Sequence, residues 1–105
     1  MNVKKKGNAG ENAFANWLQS KGIKAYRNSA SGATARKGDV HNNLDLTIEV
    51  KTVKRINLQQ AWRQVERDAA FARNSPLLAI RFDKMPKDEW LIVLHSEDWT
   101  DMVRK

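Results

Sequence analysis

Leu44-Asp45-Leu46-Thr47-Ile48-Glu49-Val50-Lys51 is the stretch on which the reading of this 105-residue chain turns. Strand periodicity places Leu44, Leu46, Ile48 and Val50 on one face and Asp45, Thr47, Glu49 and Lys51 on the other. The apolar face anchors the strand in a core. The opposite face carries a carboxylate and an ammonium two residues apart, pointing the same way and roughly 7 Å apart along the backbone. Asp39, from the segment just before, can bring a second carboxylate to the same small volume. Two carboxylates and a lysine provide hard oxygen ligands for Mg²⁺ and a positive charge beside an attacking water or a developing phosphorane, the chemistry of metal-assisted phosphodiester hydrolysis. An acidic-x-Lys strand on its own more commonly describes a solvated strand face, so the rest of the chain has to overturn that reading.

Outward from this strand, the segment from Gly38 to His41 reads as a strand joined to it by a tight turn at Asn42-Asn43, where left-handed backbone is tolerated. Upstream, a helix is expected from about Ala9 to Ser20, capped by Asn8 with Glu11 three residues on and ended by Gly22. Its apolar stripe is Ala13, Phe14, Trp17 and Leu18. Ile23 to Arg27 reads as a short strand, and Asn28 to Lys37, rich in Ser, Ala, Thr and Gly, as a mobile loop. Downstream, the spacing of Leu58, Ala61, Trp62, Val65, Ala69 and Ala72 is helical. Leu77 to Phe82 and Trp90 to Leu94 are apolar runs of the kind expected for strands buried on both faces. A last helix spans Ser96 to Val103 with Ser96 as its cap. The order αβββαββα implies an α/β fold with a mixed sheet flanked by helices.

Length and composition narrow the function classes. The chain has room for one domain, residues 1–105, with 1–7 expected to be a flexible basic tip. A net charge of +7 on so small a body favours polyanionic partners. No apolar run is long enough to span a bilayer, and Lys4-Lys5-Lys6 is followed by Gly7, Asn8 and Gly10 rather than by the apolar core of a secretory signal. The absence of cysteine removes disulfides, thiolate nucleophiles and thiolate zinc sites. His41 and His95, far apart in sequence, are thin material for a zinc site. An intracellular, cytoplasmic protein fits this composition, with either nucleic acid or an acidic membrane surface as the polyanion it meets.

Glu11 lies seven residues before Leu18 and so within about 20° of the same helix azimuth, which sets a carboxylate in line with an apolar stripe. Capping the helix start and holding a metal are both open to it. Gln64, near the edge of the second helix's apolar face among Arg63, Glu66 and Arg67, reads by itself as a solvent-facing glutamine. Lys4, Lys5, Lys6, Arg27, Arg36, Lys37, Lys54 and Arg55 flank the proposed site in sequence. Arg36-Lys37 and Lys54-Arg55 bracket Asp39 and Lys51, where phosphate-contacting charge is useful. The tryptophans, on apolar helical faces or opening a buried strand, read as core or interface.

Gly7-x-x-x-Glu11 at a helix, Gly22-Ile23 leading to Arg27, the Ser-rich loop, Gly38-Asp39-Val40, Ile48-Glu49-Val50-Lys51, Gln64-Val65-Glu66 and Leu78-Ala79-Ile80-Arg81-Phe82 occur in one order. This ordered set, from about Gly7 to Leu94, resembles the archaeal-type Holliday junction resolvases of the PD-(D/E)XK nuclease superfamily. The resemblance implies a restriction-endonuclease-like fold, and a metal site assembled by Glu11, Asp39 and Glu49. It implies that Lys51 assists the nucleophilic water, Gln64 lines the site, and Ser31 in the loop contributes to cleavage. Ala30 stands where a glycine usually precedes that serine, so Ser29 and Ser31 both remain candidates; Gly38 stands where proline gives the superfamily its name. The expected activity is a Mg²⁺-dependent endonuclease, with Mn²⁺ able to substitute, acting as a homodimer that nicks two strands of a four-way DNA junction. Trp62, Phe71 and Trp99 are candidates for the dimer interface. A related nuclease acting on flaps or ends, and a non-catalytic nucleic-acid-binding module, are the alternatives. The latter gains nothing from clustered carboxylates.

Overall fold

The computed structural model describes residues 3–28 and 38–104, the first five of them as backbone only. The elements follow the expected order: α1 (Val3–Ser20), β1 (Ala25–Arg27), β2 (Val40–Asn42), β3 (Leu46–Val53), α2 (Leu58–Ala72), β4 (Ser75–Phe82), β5 (Leu91–Leu94) and α3 (Ser96–Val103). They build one five-stranded sheet ordered β1-β2-β3-β4-β5. Strands β1 to β3 form an antiparallel meander and β4 and β5 an antiparallel pair, whereas β3 and β4 run parallel, with Glu49 opposite Leu78. A parallel pair needs a crossover, and α2 supplies it.

Alternation in the strands sorts the core into two halves. Phe14, Ala15 and Leu18 of α1 pack with Ile48, Val50, Leu77 and Ala79. Ala61 and Val65 of α2 pack with Leu78 and Ile80 on the opposite face. The parity expected for β3 therefore holds from Leu46 onward, but the face bearing Thr47 and Glu49 is covered by α2 rather than solvated, and both residues are buried. Helix α2 starts at Asn57, whose side chain accepts from the Gln60 N–H at 3.1 Å, and ends at Arg73 in the left-handed region.

Four local expectations change. Helix α1 begins at Val3, not Ala9, so Asn8 and Glu11 are interior residues rather than a cap. The backbone is helical through the lysine run, lysine being a good helix former, and the helix continues across Gly7 and Gly10. The β2–β3 turn is longer than two residues: Leu44 is exposed and lies outside β3, and Asp45, not Asn42 or Asn43, takes the left-handed conformation at φ 57°. Asn42 holds that turn, accepting from the Leu44 and Leu46 N–H groups and donating to the Leu46 carbonyl. Strand β5 forms an edge of the sheet, with Leu91 and Ile92 more than 40% exposed, so its apolar run does not signal burial on both faces. Finally, α3 is capped by His95, whose Nδ1 accepts from the Glu97 N–H at 3.1 Å, rather than by Ser96.

Candidate active site

The site forms where β2 stops and β3 continues. The Asp39 N–H donates to the Ile48 carbonyl at 2.7 Å, and beyond this bond no β2 residue remains to pair with β3. The next outward-facing donor, the Val50 N–H, is taken by Asp39 Oδ2 at 2.7 Å. A ladder bond is thus replaced by a side-chain bond that pins the Asp39 carboxylate to the strand carrying Glu49 and Lys51. Asn28 secures the same segment from β1: its N–H donates to the Asp39 carbonyl at 2.8 Å and its side-chain amide to the Gly38 carbonyl at 3.0 Å. Gly38 sits at φ +96°, and a Cβ there would lie 3.2 Å from the Ile48 carbonyl oxygen and from Thr47 Cγ2. Proline, fixed near φ −65°, cannot adopt this backbone. Gly38 is therefore what this particular approach to Asp39 requires.

Glu49 is buried beneath α2, and its carboxyl shares hydrogen bonds with those of Asp39 and Asp68. Its carboxyl is pushed well above the usual range by burial, by the bond to Asp68 and by the Asp39 charge. Asp39 is also raised, chiefly by burial, against the opposing pull of the Val50 N–H, Glu49 and Lys51. Lys51 follows two residues along the same face of β3.

Glu11 reaches the cluster from α1. Gly10 makes the approach possible, since a Cβ at that position would lie 2.6 Å from Thr52 Cγ2 and 2.9 Å from its Oγ1. Burial first, and then the Asp39 charge, push the Glu11 carboxyl up to about 7, opposed by Arg27 and Lys51. Arg27 Nη1 stands 4.0 Å from Glu11 Oε1.

The structure thus brings Glu11, Asp39, Glu49 and Lys51 together. Arg27 lies beside Glu11 instead of standing apart as surface charge. Gln64 is exposed on α2, and the residue of that helix that reaches Glu49 is Asp68, one turn later. The sequence carried a signal for it: Asp68 is seven residues after buried Ala61 and so within about 20° of its azimuth, the same pattern that singles out Glu11. Lys54 and Arg55 are exposed where β3 ends. Ser29, Ser31, Arg36 and Lys37, and with them the expected mobile loop, lie outside the described residues, as do the side chains of Lys4, Lys5 and Lys6. Trp62 is half-buried against the α2 core, whereas Phe71 and Trp99 are exposed.

Among the described residues, no three acidic, histidine or cysteine side chains form a ready-made cage for a metal ion. The donor chemistry nevertheless suits a hard divalent cation. Four carboxylates, Glu11, Asp39, Glu49 and Asp68, interact in a largely buried volume in which Lys51 and Arg27 are the cations that oppose them. Without further positive charge, such a cluster must hold protons.

Comparison with known proteins follows the same direction. Residues 2–101 match the family model described as "Archaeal holliday junction resolvase (hjc)". Among solved structures, the chain is similar to Hjc of Archaeoglobus fulgidus, a Holliday junction resolvase from an archaeal hyperthermophile. The two share 21% identity and superpose with a TM-score of 0.60, over 85% of this chain and 72% of that one. At that identity the likeness is one of fold. No curated protein matches the chain.

Proposed function

Because the chain belongs to the family of archaeal Holliday junction resolvases, structure-specific nucleases of four-way DNA junctions, we propose that its carboxylate cluster hydrolyses a junction phosphodiester with the help of Mg²⁺, for which Mn²⁺ can substitute. The observation that carries this reading is the Asp39 carboxylate, held by the Val50 N–H and in contact with Glu49. It joins two residues ten apart in sequence into one oxygen-rich site.

Asp39 and Glu49 are the residues that would hold the cation, with Glu11 as a further oxygen donor from α1. When bound, the cation supplies Lewis-acid stabilisation of charge on the phosphate and eases deprotonation of a water. The protein's own groups do the rest. Val50 fixes the orientation of Asp39 through its backbone N–H, and Arg27 sets the position of Glu11. Lys51 presents an ammonium to the attacking water and to the charge that develops on the phosphate oxygens. Gln64 and Ser31 belong to the reading as residues lining the site from α2 and from residues 29–37. Lys4, Lys5, Lys6, Arg36, Lys37, Lys54 and Arg55 provide phosphate contacts. An intracellular location follows from a DNA substrate, and among the described residues no helix is long and apolar enough to cross a membrane.

A homodimer completes the proposal. One chain offers a single Asp39, Glu49 and Lys51 set, whereas resolution needs two cuts in a substrate of approximate two-fold symmetry. Support comes from α3, which buries none of its residues and leaves Trp99, Met102 and Val103 more than half exposed.

Alanine substitution tests the site. Asp39→Ala, Glu49→Ala and Lys51→Ala should each reduce junction cleavage by at least a hundredfold while binding of a four-way junction in EDTA stays within a few-fold of wild type. Wild-type cleavage by any of the three overturns the assignment of that residue.

A further inference from the structure

Tyr26 and His41 form a ring pair that the cleavage reading leaves without a task. They lie directly opposite each other on β1 and β2, with ring centroids 4.8 Å apart and ring planes tilted by 41°. Their neighbours Ala25 and Val40 belong to the core under α1, so strand alternation turns both rings to the opposite face of the sheet, the one that carries Glu49. Helix α2 seats on that face over β3 and β4. Tyr26, on the edge strand β1, is 58% exposed, and His41 behind it is half-buried. His41 follows Asp39 by two residues, a strand step of roughly 7 Å. A lone surface tyrosine calls for no explanation, but this one is backed by a second ring and stands one step from the carboxylate cluster.

We propose that Tyr26, backed by His41, is a stacking platform for a nucleobase left without a neighbour at the branch point of a DNA junction. The inference rests on the proposed active site, which puts a phosphodiester of the same DNA beside Asp39. Inside a continuous duplex both faces of each base pair are covered by the next pairs, whereas at a branch point the stack is interrupted and a base can offer one face to an aromatic side chain. Such stacking accepts any base, because every base has a π-face. Lys24, two residues before Tyr26, is exposed and supplies a cation for the phosphates of that nucleotide. Phosphate contacts alone do not tell a junction from a duplex, since both carry the same backbone. A stacking surface does, which makes Tyr26 a specificity-determining residue rather than a catalytic one.

DNA binding by the full-length chain in EDTA tests this in Tyr26→Ala, Tyr26→Leu and Tyr26→Phe variants whose folding is checked by circular dichroism. Tyr26→Ala and Tyr26→Leu should each bind a four-way junction about tenfold more weakly than wild type, and Tyr26→Phe, which keeps the ring, within about twofold. Affinity for a linear duplex with the same ends should be unchanged in all three. On a junction made abasic at the nucleotides flanking the branch point, Tyr26→Ala should bind like wild type, because the base that the ring stacks on is gone. A merely structural role for the ring pair would cost as much on the abasic junction as on the intact one. That result, or wild-type affinity of Tyr26→Ala for the intact junction, overturns the platform and leaves the active site standing as long as Asp39→Ala is inactive. Wild-type cleavage by Asp39→Ala removes the active-site reading and the platform placed beside it.

Discussion

Glu11 and Glu49 hold protons in the folded chain that they would release once unfolded. For Glu11 the folded value is about 7 against 4.5, so the folded state binds the proton more tightly across that interval. Stability from this source is fully present below about pH 4.5 and is lost as pH rises through 7, with Glu49 extending the loss to higher pH. We predict that the thermal midpoint measured in EDTA falls between pH 5 and pH 8, by the equivalent of a few kcal/mol at most. Mg²⁺ should raise it more at pH 8 than at pH 5, since the cation replaces the protons. Glu49→Gln should flatten the EDTA profile, and a midpoint that climbs across this window would contradict the burial argument. At this scale much of the site was legible. Strand parity puts Glu49 and Lys51 on one face and the apolar stripe singles out Glu11, but gathering them into one site took the family resemblance, since a solvated strand face and a helix cap fit the same residues. Asp68 obeys the same rule as Glu11, but its charged neighbours Arg67 and Glu66 disguise it. The left-handed backbone at Gly38 has no local signature, because it is imposed by contact with β3.

Elements were legible in type and order, and less so in where they end and what covers them. The start of α1 was misplaced because Asn8-x-x-Glu11 mimics a cap within a helix that runs through it. Strand β5 was read as buried because four apolar residues in a row do not reveal that a sheet stops beside them. The packing of α1 on β3 gives a sharper test. Replacing Gly10 with alanine improves intrinsic helix propensity by about 1 kcal/mol, yet sets a methyl group 2.6 Å from Thr52 Cγ2. Overpacking should win: Gly10→Ala should lower stability by about 1–3 kcal/mol in urea unfolding and reduce cleavage by displacing Glu11. The double variant Gly10→Ala, Thr52→Ala removes the collision and should recover most of both losses. A Gly10→Ala protein more stable than wild type would show that α1 is free to move off the strand.

For the whole molecule, the expected result is a dimer with one active site per protomer. Sedimentation at micromolar concentration should give twice the 12.0 kDa monomer mass. A heterodimer carrying Glu49→Ala in one protomer should nick one strand of a cruciform and leave the opposing strand intact. A monomer that makes paired cuts would end the dimer proposal. The interface itself was not legible in the sequence, where Trp62, Phe71 and Trp99 looked alike; the fold now separates them, with Trp62 committed to the α2 core and Trp99 left exposed on α3. The sheet order, which repeats chain order from β1 to β5, bears on how such a molecule is made. As the chain leaves the ribosome, each strand finds its partner in the strand synthesised just before it, and no strand must be threaded between two already joined. Loop-closure entropy is paid in small instalments. The longest wait is for β4, which needs α2 to be complete, so the active-site strand β3 can be paired on its β2 side before the residues that will bury Glu49 have emerged.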